Sequence, residues 1–495
     1  MPSKADTLYR ILSDIPIPNP TDYGVFMSKT TRRDFLKQSA LAASTVGAVP
    51  YFLSSQQSAL AQPPSDRLRM GCIGVGDMGR GDAREFNGLV DIVAVCDVDS
   101  LHMDMAQDDN NIGKKGADGN KIKLDTYKDY RKILERNDID VVSIVTPDHW
   151  HIKICIEALQ AGKHVFCQKP LTLTVEEGAL IRAACKKYDK VFQVGTQQRA
   201  QRDQFALATL MVRKGLLGKI EKVTCDVGGG PVCGPIPKAD VPATLDFEMW
   251  LGQAPLVDYV ATSEVNDQRR KDAWPRNSRT HYEFRWWYEY SGGKFTDWGA
   301  HHVDCAMWAL DSLGDGQGPV KFKPVTAEHP VPYKDGYPTE NNRYNTSTRF
   351  DIECTFESGL VMHVVDRSND RNGILFEGTD GRMHVNRERI VGRPFENIKD
   401  QIREIFPDEE FNKLYNGKRF ERHKQNFVRC IREGGLPVSD VFTHVQAMNV
   451  CHLSAIAARL GREVVWDPKT EKTGDAQSQT FLAREQRKGY EISRS

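Results

Sequence analysis

The sequence predicts an α/β chain in two parts: a doubly wound parallel sheet, then an α+β domain built on a large, open, mostly antiparallel sheet. Three observations predict it. Residues 69–97 read as strand, glycine-rich turn, helix and a second strand ending on an acid; short apolar strands then alternate with helical segments as far as Gly195; from Thr346 onward strictly alternating segments replace that pattern. The expected divisions are a leader at 1–61, a first domain at 67–195, a second at 196–468 and a polar tail at 469–495 that frays.

In the first domain, residues 70–75 form a short apolar strand. Gly74, Gly76 and Gly79 follow in G-x-G-x-x-G register, with Asp77 and Met78 inside the motif. Such glycines make a tight turn, let the backbone approach a pyrophosphate and let the next helix pack on the sheet, whose free N–H groups then face the phosphates. Asp97 ends the following strand, about twenty residues on, where a carboxylate accepts hydrogen bonds from the ribose hydroxyls of NAD and repels the 2′-phosphate of NADP. The pattern is that of a Rossmann domain whose cofactor is NAD rather than NADP. Residues 101–119 read as a helix and a solvated loop, 127–135 as helical, and 140–145 as a buried strand. Thr146 and Pro147 follow it, at the carboxyl end where open α/β sheets form their ligand crevice. A helix at 152–161, a strand at 164–167 running into Gln168-Lys169-Pro170, a helix at 175–187 and a strand at 191–195 complete the alternation.

In the second domain, 197–215 reads as a linking helix and 219–228 as a strand. Residues 229–284 are irregular, broken by six prolines, and lead into Arg285-Trp286-Trp287-Tyr288. Long ordered loops are usually functional, and flat aromatics such as Trp287 suit a sugar ring; the alternative is that they only pack the loop down. A helix beginning near Thr296 would set Asp297, His301, Asp304 and Trp308 on one face, with His302 turned about 100° away. Asp297 could then hydrogen-bond His301, fix its tautomer and raise its basicity, as a general base requires. His302 and Asp304 are candidates for the substrate side. Two ligands at i, i+4 without a further His or Cys cluster make a poor metal site, so no metal is expected. Alternating strands at 346–356 and 359–365 continue at 373–376 and 381–385; 423–432 and 443–460 are helical, and 461–466 forms a strand-like hook.

Lys and Arg together number 67, as do Asp and Glu, so a net charge of +0 favours neither nucleic acid nor acidic polymers as partners. No run beyond the leader is long and apolar enough to anchor the chain in a membrane. Eleven cysteines without a CxxC pair, several in apolar patterns, argue against a disulfide framework. The leader itself holds Arg32-Arg33, a modest apolar stretch at 40–53 and Ala59-Leu60-Ala61, the parts of a twin-arginine secretion signal. It predicts recognition by the twin-arginine export machinery and a periplasmic location, with 495 − 61 = 434 residues after cleavage and Met27 as an alternative start. That route carries folded proteins, and a periplasm offers little free nucleotide. NAD is therefore expected to be tightly bound.

Taken together, Gly74-Val75-Gly76-Asp77-Met78-Gly79, Thr146-Pro147 with His151, residues 161–165 leading to Lys169-Pro170, and Gly292-Gly293-Lys294-Phe295-Thr296-Asp297 with His301 resemble the Gfo/Idh/MocA oxidoreductases. The resemblance runs from about Arg67 to about Pro468. It implies that the motif residues, with Asp97, His151 and Pro170, line the cofactor site, and that Lys169, Asp297 and His301 surround the reacting hydroxyl. Gln168 stands where the family carries a glutamate; its effect is expected to be an easier deprotonation of Lys169. One face of the second sheet is often used for oligomer contact in such enzymes, which leaves a homo-oligomer open. The expected function is hydride transfer between a sugar or cyclic polyol and a held NAD. Two rivals remain: a redox-neutral glycosidase that oxidises its sugar transiently, and a non-catalytic sugar-binding protein on the same scaffold.

Overall fold

The computed structural model describes residues 67–263 and 274–494. The leader with its twin arginines lies outside the described residues, as do residues 264–273 of the irregular segment. Six parallel strands form the first sheet: β1 Arg69–Ile73, β2 Asp91–Cys96, β3 Asp125–Tyr127, β4 Val141–Ile144, β5 His164–Cys167 and β6 Phe192–Val194. Their order is β3-β2-β1-β4-β5-β6, so the chain reverses direction across the sheet between β1 and β4. That switch point, at the carboxyl ends of the strands, is where a crevice opens. Helices cover both faces, and the central strands are accordingly buried almost throughout rather than alternating. β3 ends on Tyr127, the first residue of the stretch that reads as helical; it is three residues long and at the sheet edge, too short to show a period, and the helix that follows is only Arg131–Leu134.

The link is not one helix. It is a 3-10 turn at Gln197–Ala200, a π turn at Arg202–Ala206 and an α-helix at Leu207–Arg213. The second sheet starts with β7 Ile220–Asp226 and continues with β8 Pro319–Glu328, which periodicity alone does not reveal. Pro324 interrupts β8, and the pairing with β11 shifts register there, the bulge that a proline within a sheet demands. After a small hairpin of β9 Tyr333–Lys334 and β10 Tyr337–Pro338 come β11 Arg349–Phe356, β12 Val361–Val365, β13 Gly373–Gly378, β14 Gly381–Val385, β15 Ile390–Val391, β16 Val464–Asp467 and β17 Lys472–Thr473. The order is β15-β14-β13-β7-β12-β11-β8-β16-β17; only β7 with β12 is parallel.

One face of this sheet packs on two helices, Gly299–Ala309 and Val441–Leu460, in a shared apolar core where Phe295 and Phe350 stack with centroids 4.0 Å apart. The late helices also complete the first domain. Phe427 packs against Phe86 and Phe166, and Val445 fills the space over Gly178, where a Cβ would meet it at 2.6 Å. The tail does not fray. Phe481, Leu482 and Ile492 are buried, Leu482 accepts a hydrogen bond from Glu176 N, and Arg487 donates to the Gly252 carbonyl. Polar composition hides these few anchors. All eleven cysteines are free, ten of them buried. No described helix is long and apolar enough to cross a membrane.

Candidate active site

The glycine turn has the geometry its pattern predicts. Gly74 has φ +80° and a Cβ there would lie 2.5 Å from the Val145 carbonyl oxygen, while one on Gly79 would strike the Gly74 carbonyl. Only glycine brings loop, helix and β4 this close. Gly76, Asp77 and Met78 open the Asp77–Phe86 helix and, with Gly74 and Gly79, line one wall of a crevice of ≈ 440 Å³. Asp97 lies beside them: Oδ2 accepts from Val75 N at 2.8 Å, Oδ1 from Asp99 N at 3.0 Å, and His102 Nδ1 is 3.2 Å from Oδ2. A carboxylate accepts about four hydrogen bonds, so ribose hydroxyls can still be received. The loop and acid fit a dinucleotide, and Gly74, Gly76, Gly79 and Asp97 are the residues that would hold it.

The opposite wall comes from the irregular segment. Leu245 forms a bridge with Asp99, and Trp274 stacks on His281 at 3.4 Å between ring centroids. His281 Nε2 reaches Asp99 Oδ2 at 3.2 Å across 182 residues. Sequence reasoning did not single out His102, Trp274 or His281; nothing in their local patterns points to the crevice.

Thr146, Pro147 and Lys169 line the crevice, but His151 does not. His151 is buried, with Nδ1 2.7 Å from the Pro170 carbonyl and Nε2 2.9 Å from that of Thr146. It ties the two loops together rather than touching a cofactor, and Pro170, in a cis peptide bond, supplies a carbonyl to that tie. Both ring nitrogens face acceptors, so both must donate. Burial opposes the charge this requires, but Cys167 and Asp148 outweigh it and hold His151 at about 9.

Lys169 Nζ donates to Asp297 Oδ1 at 2.8 Å and to its carbonyl at 2.9 Å. Asp297 ends a short helix, Lys294–Asp297; a second begins at Gly299, with Trp298 between them. This break undoes the single-helix geometry, and the expected Asp297–His301 hydrogen bond is replaced by the ion pair to Lys169. Burial favours a neutral Asp297, yet Lys169 and Arg285 overcome it and keep its carboxyl well below the usual range. His301 lies one turn on, buried, and its Nδ1 has no hydrogen-bond partner among the described residues. Burial, then Lys169 and Arg387, push it well below the usual imidazole range, so the ring is a neutral acceptor.

Three expected substrate contacts point elsewhere. Asp304 is fully buried and takes Arg199 in a two-pronged ion pair at 2.7 and 2.6 Å, with His444 Nδ1 at 2.9 Å. His302 is enclosed, its Nδ1 2.8 Å from the Asp226 carbonyl. Trp287 is buried under Arg279, 4.0 Å from its ring, and donates to the Ser278 carbonyl. The Gly299–Ala309 helix is buried on every side, so its polar residues pair inside the protein. Gln168 likewise turns from Lys169's ammonium: its Nε2 donates to Asp82 Oδ2 at 2.7 Å, and Asp82 also takes Lys424. The group of His, Cys, Asp and Glu that a metal needs does not occur among the described residues.

The family model for the oxidoreductase family with a NAD-binding Rossmann fold matches residues 68–196, and that for its C-terminal alpha/beta domain matches 233–492. The chain belongs to the Gfo/Idh/MocA family. Among its relatives is a glycosyl hydrolase family 109 protein of Shewanella pealeana, 32% identical over 206 residues, 39% of this chain and 44% of that protein. The chain thus spans less than half the length of such relatives. Gfo/Idh/MocA folds recur in solved structures: the WlbA dehydrogenase of Bordetella pertussis, in complex with NADH and UDP-GlcNAcA, covers 81% of this chain and 99% of its own at TM-score 0.52 and 19% identity. An aldose-aldose oxidoreductase of Caulobacter crescentus does so over 81% and 99% at TM-score 0.51 and 17% identity. At such identities the likeness is one of fold.

Proposed function

We propose that this Gfo/Idh/MocA protein transfers a hydride between a carbinol carbon of a sugar or cyclic polyol and a tightly held NAD. The observation that carries the reading is the Lys169–Asp297 ion pair at 2.8 Å, whose lysine lines the same crevice as the glycine turn. NAD, when bound, supplies the hydride acceptor and donor. Asp297 fixes the Lys169 ammonium, whose N–H donors hold the reacting oxygen in a desolvated site where such bonds are strong. Neutral His301, whose buried Nδ1 has no hydrogen-bond partner among the described residues, takes the hydroxyl proton in oxidation and returns it in reduction. Arg285 and the aromatic rings of Tyr282 and Phe284 border the crevice and exclude water. Known likenesses support a carbohydrate: solved relatives of the same fold are a sugar-nucleotide complex and an aldose enzyme.

The test is to purify the protein and follow nicotinamide absorbance against a panel of sugars and polyols, beside Lys169→Ala and His301→Ala. A change with at least one compound, lost in both variants while cofactor stays bound, supports the reading; no change with any sugar sinks it and favours a binding protein. A second reading, the redox-neutral glycosidase, is favoured by the glycosyl hydrolase family 109 relatives. Release of many equivalents of aglycone from an aryl glycoside without added NAD would select it. The twin arginines Arg32 and Arg33 support export to the periplasm with cofactor in place; retention of an Arg32→Lys, Arg33→Lys variant in the cytoplasm tests that.

A further inference from the structure

Among the described residues, charge does not balance around the Lys169–Asp297 pair. Lys169 alone satisfies the Asp297 carboxylate by direct hydrogen bond, yet two more cations approach it at longer range: Arg285 Nε at 3.7 Å from Oδ1 and Lys294 Nζ at 3.8 Å from Oδ2. Arg285 is held in place by donating to the Tyr282 carbonyl at 3.0 Å and by lying 4.4 and 4.8 Å from the Tyr282 and Phe284 rings. Lys294 sits 5.6 Å from the Trp286 ring centroid. A fourth cation, Arg387, lies over Trp298 at 4.6 Å. The other carboxyl coupled to this group is Asp148, fully buried, which burial pushes toward its neutral form against the pull of His151, Arg285 and Lys169.

Three cations therefore share one ionised carboxylate and one acid whose burial disfavours charge. The side chains of Arg285 and Lys294 are 22% and 18% exposed, largely desolvated but still open to a ligand. Holding partly buried cations without full counter-charge is costly, and one lysine would suffice to pin Asp297. Burial already lowers the pKa of Lys294, and the positive charges of Lys169 and Arg285 lower it further. An anion entering beside them would relieve that cost. Guanidinium groups are suited to it, since their paired donors match carboxylate and phosphate oxygens.

Resting on the oxidoreductase reading above, we propose that the substrate is an acidic sugar, one carrying a carboxylate or a phosphate, and that Arg285 and Lys294 are the counter-ions of its acidic group. The acid then selects among sugars while Lys169 and His301 act on the hydroxyl.

The experiment titrates the cofactor-bound protein by calorimetry with matched pairs: glucose against glucuronate, galactose against galacturonate, and glucose against glucose 6-phosphate. Nicotinamide absorbance is recorded in parallel. In at least one pair the acid should bind ten-fold or more tightly than its neutral partner. That advantage should shrink when salt is raised from about 50 to 300 mM and should fall to within about three-fold in Arg285→Gln or Lys294→Gln. A better response to uronates than to the phosphate assigns the group as carboxylate, and the reverse assigns phosphate. Absence of a ten-fold preference in every pair of the unmodified protein overturns the proposal whether or not the variants fold. Acid-selective binding without an absorbance change upholds Arg285 and Lys294 as counter-ions of an acidic ligand and sinks the oxidoreductase reading, and with it the acid's role as substrate; an absorbance change as large with neutral sugars overturns the proposal and leaves that reading standing.

Discussion

Lys169 Nζ lies 2.8 Å from Asp297 Oδ1, a bond that spans 128 residues and ties the end of β5 to the break between two helices of the second domain. Its lysine lines the crevice. Asp297→Asn keeps the shape but removes the charge that orients the lysine, so turnover should fall by roughly 10²–10⁴ with cofactor still retained, and the thermal midpoint should fall as well because Lys169, Arg285 and Lys294 lose their shared counter-charge. Steady-state rates beside the absorbance of bound nicotinamide check this.

Arg199 and Asp304 are both buried and joined by two charge-assisted bonds. Asp304→Asn should leave the guanidinium without a counter-charge and cost about 3–5 kcal/mol, read as a lowered denaturant midpoint. An Asp304 that touched substrate would instead raise KM with stability intact.

Gln168→Glu would set a second carboxylate beside Asp82, where the amide now donates at 2.7 Å. Lys424 offsets part of the repulsion, and the remaining loss should be roughly 1–3 kcal/mol. Asp82→Asn in the same chain should recover most of it, because the asparagine amide can donate to the new carboxylate. If the double variant is no more stable than Gln168→Glu alone, the contact does not matter.

Stability should peak near neutral pH. Burial lowers His149, His423 and His452 to about 3 and His302 to about 4. Below about 6.5 the unfolded chain takes protons that these folded sites refuse, so each costs about 1.4 kcal/mol per pH unit of acidification until its folded value is reached. His151 works in the opposite sense: raised to about 9, its contribution is present below about 6.5 and is lost as pH rises through about 9. Thermal scans across this range should show a midpoint that falls on both sides; a midpoint that rises between about pH 7 and 5 contradicts the assignment.

Much of the fold was legible in the chain itself. Gly74, Gly76, Gly79 and Asp97 announce their roles because a tight turn, a close backbone approach and a strand-end acid are local demands, met by residues within about thirty positions of one another. The alternation of β11 and β12 is similarly local, one face of a sheet against a core. Family likeness then added Lys169, Asp297 and His301, which no spacing rule brings together. The misplaced residues share a cause. Trp287, His302, Asp304 and His151 are polar or aromatic groups whose partners, among them Arg279, Asp226, Arg199 and Pro170, lie up to 105 positions away. A helix buried on all sides gives no polar face to read, and a proline-bulged strand such as β8 gives no clean period. Local pattern was enough for the two sheets and the cofactor turn, and family likeness named Lys169, Asp297 and His301 as candidates. Which polar groups face the crevice and which are spent on internal pairs is settled by the fold, because hydrogen bonds and charges are satisfied by neighbours in space, and those neighbours exist only once the chain has folded.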